Sequence, residues 1–147
     1  MKRIILIMLV LLSAPLQAGE LSLQLSGKSH HDKPKQEYNE ENYGAGITYQ
    51  VKQHYIAAGF YKNSDNRTTK YLLTGWRKDL VDGDIIFAPG VVVGGLTGYK
   101  EKTVTAIMPT LTFGYQRIKI NTLFLPAING FDRVIFMQLE ITLGGKP

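Results

Sequence analysis

Two short runs of this sequence carry side chains able to move a proton. Ser29-His30-His31-Asp32 is followed closely by Tyr38-Asn39-Glu40, and further on stands Tyr61-Lys62-Asn63-Ser64-Asp65. A histidine near neutrality can take a proton from a hydroxyl, and a nucleophilic or relaying serine needs such a base. A third group should orient the imidazole; Asn63, Asp65 and Asp32 are the local candidates. Solvated loops have the same composition, so the runs matter only if the fold brings them together. No metal or other cofactor is expected. Adjacent histidines at a strand end point in opposite directions, and no carboxylate–histidine spacing typical of a metal site joins them.

The elements that must position these groups read as strands. Residues 20–28 alternate, with Leu21, Leu23 and Leu25 on one face and Ser22, Gln24 and Ser26 on the other. Further strands are expected at 43–51, 55–61, 70–76, 85–96, 104–113, 117–125 and 133–143. The fifth is expected to break at Pro89-Gly90, and the sixth contains Pro109. Asp82-Gly83 is a hairpin signal. No stretch keeps a helical period.

The links alternate in length. Polar loops are expected at 31–42, 62–69, 97–103 and 126–132, with shorter connections at the other end. That pattern marks an eight-stranded antiparallel up-and-down transmembrane β-barrel, an all-β fold. Both reactive runs would then leave one rim. A lysine or arginine facing mid-membrane lipid would cost roughly 2–4 kcal/mol, so Arg117, Lys119 and Glu140 are placed in the lumen. A symmetric last hairpin would set Lys119 opposite Glu140. Five of the eight tyrosines (Tyr43, Tyr55, Tyr61, Tyr71, Tyr115) lie near expected strand ends, where interfacial girdles put them.

The start of the chain gives an address. Lys2 and Arg3, the apolar run 4–12 and the zone ending at Ala18 read as a secretory signal, with residues 19–147 as the barrel domain. The run is too short to cross about 30 Å of hydrocarbon as a helix. Removing Lys2 and Arg3 lowers the formal charge from +5 to +3. That small, scattered excess does not argue for nucleic-acid binding. With no cysteine in the chain, stability must come from a core or from closed hydrogen bonding.

The order of pieces resembles the lipid A palmitoyltransferase family of Gram-negative outer membranes (PagP). The elements carrying the resemblance are His31, then Tyr38-Asn39-Glu40 with the run to Gly44-Ala45-Gly46, Tyr61-Lys62-Asn63-Ser64, Gly75-Trp76, the glycine-rich stretch 90–98, Met108-Pro109 and Leu125-Pro126. They span nearly the whole mature chain. The resemblance implies an outer-membrane acyltransferase moving a palmitate-like chain from a phospholipid to lipid A. It carries the family's catalytic His, Asp and Ser onto His31, Asn63 and Ser64, with His30 one residue away. It matches Pro109 and Pro126 to the prolines flanking the family's lateral opening. A strand proline removes a ladder hydrogen bond, so the wall should open there in any case. Gly44, Gly46, Gly90 and Gly94 could leave lumen room for the chain.

There are departures. The family's aspartate is Asn63 here, which cannot carry negative charge beside an imidazolium. Asp65 or another carboxylate must substitute, or catalysis is weak or absent. The helix preceding the family's barrel is missing, and the first loop is shorter. The alternatives are a non-enzymatic barrel of the same fold, serving adhesion, shielding or membrane integrity, and a soluble lipid-binding barrel. For the leading reading the partners are membrane phospholipid and lipid A, and the chain acts as a monomer.

Overall fold

A computed structural model describes residues 19–32, 37–81, 83–99, 102–126 and 132–144. The expected signal segment, 1–18, lies outside them. The described chain is eight strands: β1 (Glu20–Asp32), β2 (Glu41–Val51), β3 (His54–Lys62), β4 (Thr68–Arg77), β5 (Ile85–Tyr99), β6 (Lys102–Tyr115), β7 (Ile118–Leu125) and β8 (Arg133–Gly144). Each pairs antiparallel with its neighbours, and β1 closes on β8 to form a barrel. Closure gives every strand two paired neighbours. The eight-stranded closed antiparallel barrel expected from the sequence is what the chain forms.

Alternation sets the two faces. Ser22, Gln24, Thr48, Thr112, Lys119, Asn121, Gln138 and Glu140 are buried in the lumen. Ile47, Ile56, Phe60, Leu72, Ile107, Phe113, Ile118 and Ile120 are exposed on the outside. The rows are therefore inverted relative to a water-soluble barrel: polar groups in, large apolar groups out. Such a barrel is compatible with an outer-membrane location. Lys119 does face Glu140 across the last hairpin.

The lumen has two zones. At the end carrying the β2–β3 and β6–β7 turns, called here the turn end, Glu140 is fully buried between Arg77 (2.9 and 3.2 Å), Lys119 (3.3 Å) and Asn121 (2.6 Å). Lys119 also pairs with Glu20, and Gln50 takes the Arg77 Nε–H at 2.7 Å. Two anions and two cations thus neutralise one another. Toward the other end, which carries the 33–40 and 63–67 links and is called here the loop end, the lumen turns apolar. Tyr61, Tyr71, Leu73, Leu96, Ala106, Met108 and Leu123 pack there.

Two boundaries differ from the sequence reading. Pro89-Gly90 does not break β5, which runs unbroken through both. The last β4–β5 pair is Arg77↔Gly90, so Pro89 lies just past that ladder, where a missing N–H breaks no pair. Most of the expected 97–103 loop is instead strand, because β5 continues to Tyr99 and β6 starts at Lys102.

Candidate functional site

The position of His31 follows from one irregularity in β1. Ser22, Gln24 and Ser26 face inward. The register against both β2 and β8 then shifts between Ser26 and Lys28. Against β8 one residue, Gly27, is left over as a bulge, while against β2 Gly27 alone stands opposite Asn42 and Tyr43, and the inward parity of β1 changes there from even to odd positions. Ser29 and His31 therefore point into the lumen, and His31 is only 5% exposed. The side chain of His30 is 71% exposed. This settles which of the adjacent histidines faces the cavity.

The two reactive runs meet at the loop end. Ser64 Oγ lies 3.0 Å from His31 Nε2. The other ring nitrogen, Nδ1, faces Glu40 Oε1 at 3.4 Å, and the same oxygen accepts the His31 backbone N–H at 2.9 Å. Tyr38 stacks on the imidazole, with ring centres 4.2 Å apart and planes 19° from parallel. Its hydroxyl donates to Asp132 Oδ2 at 2.8 Å, which ties the first link to the segment before β8. Asn39 fastens the first link to the second. Its backbone N–H donates to Ser64 O at 2.9 Å, and its side chain to Asn63 O at 3.1 Å.

The group that orients the imidazole is Glu40, not Asn63. Asn63 is fully buried with its side chain committed elsewhere. Its two N–H bonds go to Thr69 Oγ1 and the Gly98 carbonyl, both at 3.1 Å. Its oxygen accepts the backbone N–H of Asp65 (3.0 Å) and Arg67 (2.9 Å). An amide offers two donors and one oxygen with two lone pairs, so nothing remains for His31. Asn63 shapes the link that presents Ser64. Asp32 is engaged by Arg133 at 3.2 Å on the outside, and Asp65 borders the cavity without bonding the imidazole. No sequence spacing pointed to Glu40, which stands nine positions from His31 and outside any strand.

The electrostatics follow the contacts. Glu40 is held below the ordinary carboxylate range, first by the His31 backbone N–H and then, against partial desolvation, by the imidazole and by His30. The Tyr38 hydroxyl is pushed above its ordinary value, chiefly by its bond to Asp132.

His31, Ser64, Tyr38 and Asp65 rim a cavity of about 440 Å³ that descends into the apolar half of the lumen. Tyr71, Leu73, Leu96, Met108, Leu123 and Phe136 line its body. Gly44, Gly46, Gly90 and Gly94 do not line it. Gly46 gives its space to another side chain, since a Cβ there would strike the Tyr71 hydroxyl. That hydroxyl reaches across the lumen to Gln24 at 3.0 Å.

Pro126 does border the cavity, and so do Thr105 and Ile107, although both of the latter are exposed on the outer wall. The wall is interrupted there. The β6–β7 ladder stops at Thr110↔Leu123, while β6 continues to Lys102 and β7 to Leu125. Pro109, with no N–H to donate, is the first residue beyond the last pair. The cavity thus opens at the rim and sideways between β6 and β7.

Fold and site together define a class: a closed eight-stranded barrel, apolar outside, with a serine–histidine–carboxylate arrangement at the mouth of an apolar chamber. No protein-family model matches the sequence, and a search of curated proteins finds no match.

Proposed function

We propose that this protein is an outer-membrane acyltransferase that moves a fatty acyl chain from a phospholipid to lipid A. The observation that carries the reading is the 3.0 Å contact of Ser64 Oγ with His31 Nε2, backed by Glu40 on Nδ1, at the mouth of a chamber large and apolar enough for an alkyl chain. The outward apolar rows support membrane insertion, because large aliphatic and aromatic side chains on a barrel wall are stable against lipid tails. The unladdered seam between β6 and β7 supports sideways passage of a lipid chain from that layer.

The chemistry uses His31 as a proton carrier. With its own proton on Nδ1 beside Glu40, Nε2 accepts the Ser64 proton while Ser64 Oγ attacks the donor's ester carbonyl. The bond from that carbon to the donor's glycerol oxygen breaks, and the oxygen leaves with the proton held by His31. A hydroxyl of the acceptor then gives its proton to His31 and attacks the Ser64 ester, and Ser64 recovers the proton as its bond to the acyl carbon breaks. Glu40 stabilises the imidazolium in both halves.

The test is mass spectrometry of lipid A from cells with and without the gene, under ordinary growth and membrane stress. The expected result is an added mass of one acyl chain that disappears in His31→Ala and Ser64→Ala. Unaltered lipid A under both conditions would end the enzymatic reading and leave a barrel without catalysis.

A further inference from the structure

We infer that the outer wall of the β3–β4 hairpin at the loop end, formed by Lys62, Lys70 and Arg67, is a docking surface for the phosphate of an anionic membrane lipid. Lys62 is the last residue of β3, and Lys70 lies in β4. The pairs Phe60↔Lys70 and Lys62↔Thr68 make the two lysines diagonal neighbours on the outward face. At such a position Cα atoms stand about 7–8 Å apart, within reach of one another for long side chains. Arg67 is exposed in the link just above.

Three cations so placed repel unless an anion lies between them. Among the described residues none of the three side chains has a carboxylate partner. Asp65, in the same link, borders the cavity. Glu41, on the neighbouring strand, has its carboxylate engaged by the Tyr43 hydroxyl at 2.7 Å. The contrast with the lumen is plain, since every buried cation there is matched.

What lies below the cations fixes the partner's other half. Phe60 and Leu72, 53% and 63% exposed, continue the same two strands toward the barrel's middle, with Ile56 beyond them. A surface that is apolar along its length and cationic at its upper edge fits an amphiphile with acyl tails and an anionic headgroup, and basic residues at a membrane surface attract such headgroups. Ser64 belongs to the same hairpin but turns inward to His31, so the cationic surface holds a lipid on the outer side of the wall. This inference rests on the reading that the wall faces lipid, but it requires no turnover.

Full-length protein carrying Ser64→Ala, refolded in detergent doped with phosphatidylglycerol or phosphatidylcholine, is measured by native mass spectrometry for retained lipid. Phosphatidylglycerol should be retained roughly tenfold better, and Lys62→Gln with Lys70→Gln should bring the two lipids to near parity. Lys52→Gln with Lys78→Gln, at the opposite rim, should keep the preference. A preference that survives loss of Lys62 and Lys70, that is absent from the start, or that falls equally with the opposite-rim pair overturns the inference. Acyl transfer by the protein with Ser64 intact is assayed separately. Transfer without lysine-dependent retention removes this surface and leaves the enzyme, and the reverse pattern does the opposite.

Discussion

In the proposed reaction Glu40 is the decisive residue, because a histidine that lifts a serine proton needs a charge to steady the imidazolium. Glu40→Gln keeps an acceptor for the His31 backbone N–H but removes that charge. Acyl transfer should fall about a hundredfold or more, with the apparent affinity for the donor lipid little changed. Asn63→Asp, which restores the residue that the resemblance leads one to expect, should not rescue it, because the Asn63 N–H bonds to Thr69 and Gly98 would be lost instead. Steady-state transfer from a labelled phospholipid separates these outcomes. The pH response follows from the carboxyl's lowered value. Glu40 favours the folded first link wherever it is ionised in both states, above its ordinary value of 4.5. That contribution fades as pH falls through the lower folded value, so proteolytic protection of the 37–40 segment should hold at neutrality and be lost in strong acid. Much of this site was legible from residue types, since His31 and Ser64 were the pair expected to meet. The orienting partner was not, because Asn63 and Asp65 lie beside Ser64 in sequence. Glu40 lies outside any strand, so no periodicity sets it against His31.

Elements decide which face a residue presents, and here two irregularities matter more than the regular ladder. The alternation of β1 is readable from Leu21-Ser22-Leu23-Gln24-Leu25-Ser26, but carrying it forward would place His30, not His31, inside. The leftover residue at Gly27 reverses that, and a glycine in a strand only hints at a bulge. Deleting Gly27 should let Lys28 follow Ser26 in a regular β1–β8 ladder, leave Ser29 and His31 inward and His30 outward, and keep transfer, whereas inserting one further residue after Gly27 should turn His31 outward and abolish it. The barrel should still give its heat-sensitive shift in gel mobility. The seam between β6 and β7 was foreseeable from Pro109, which cannot complete a ladder. Its length is set by where the ladder ends, at Thr110↔Leu123, and no residue type marks that point. Cysteines replacing Pro109 and Phe124, which extend the Thr110↔Leu123 register by one pair, should cross-link the seam. Transfer should drop about tenfold on oxidation and return with reductant, as expected if a chain must pass between these strands. Unchanged transfer in the fully cross-linked protein would mean that the rim alone admits the lipid.

At the scale of the whole molecule, the turn end of the barrel is filled by charge and the loop end by an apolar cavity. The strand count, the closure and the inward placement of Lys119 and Glu140 all follow from alternation and link length. Arg77 as the main partner of Glu140 does not, since the two are 63 positions apart and face each other across the lumen. Glu140 is 0% exposed and accepts bonds from β4 and β7 at once, so it joins strands that share no ladder with each other. A buried charge network of this kind gives little net stability over an apolar filling, but it is costly to break on one side. Glu140→Ala leaves the buried Arg77 without its carboxylate, and about 3–5 kcal/mol of unfolding free energy should be lost. Replacing Glu140 and Arg77 together by Gln and Met removes both charges, and the loss should be clearly smaller than the sum of the two single changes. Urea titrations of the refolded barrel in lipid vesicles, followed by Trp76 fluorescence, measure all three variants. Because the network lies below the apolar chamber, the double variant should keep acyl transfer near the unmodified level at temperatures where it remains folded. A double variant as unstable as Glu140→Ala would mean that the lumen depends on these particular hydrogen bonds and not on charge balance.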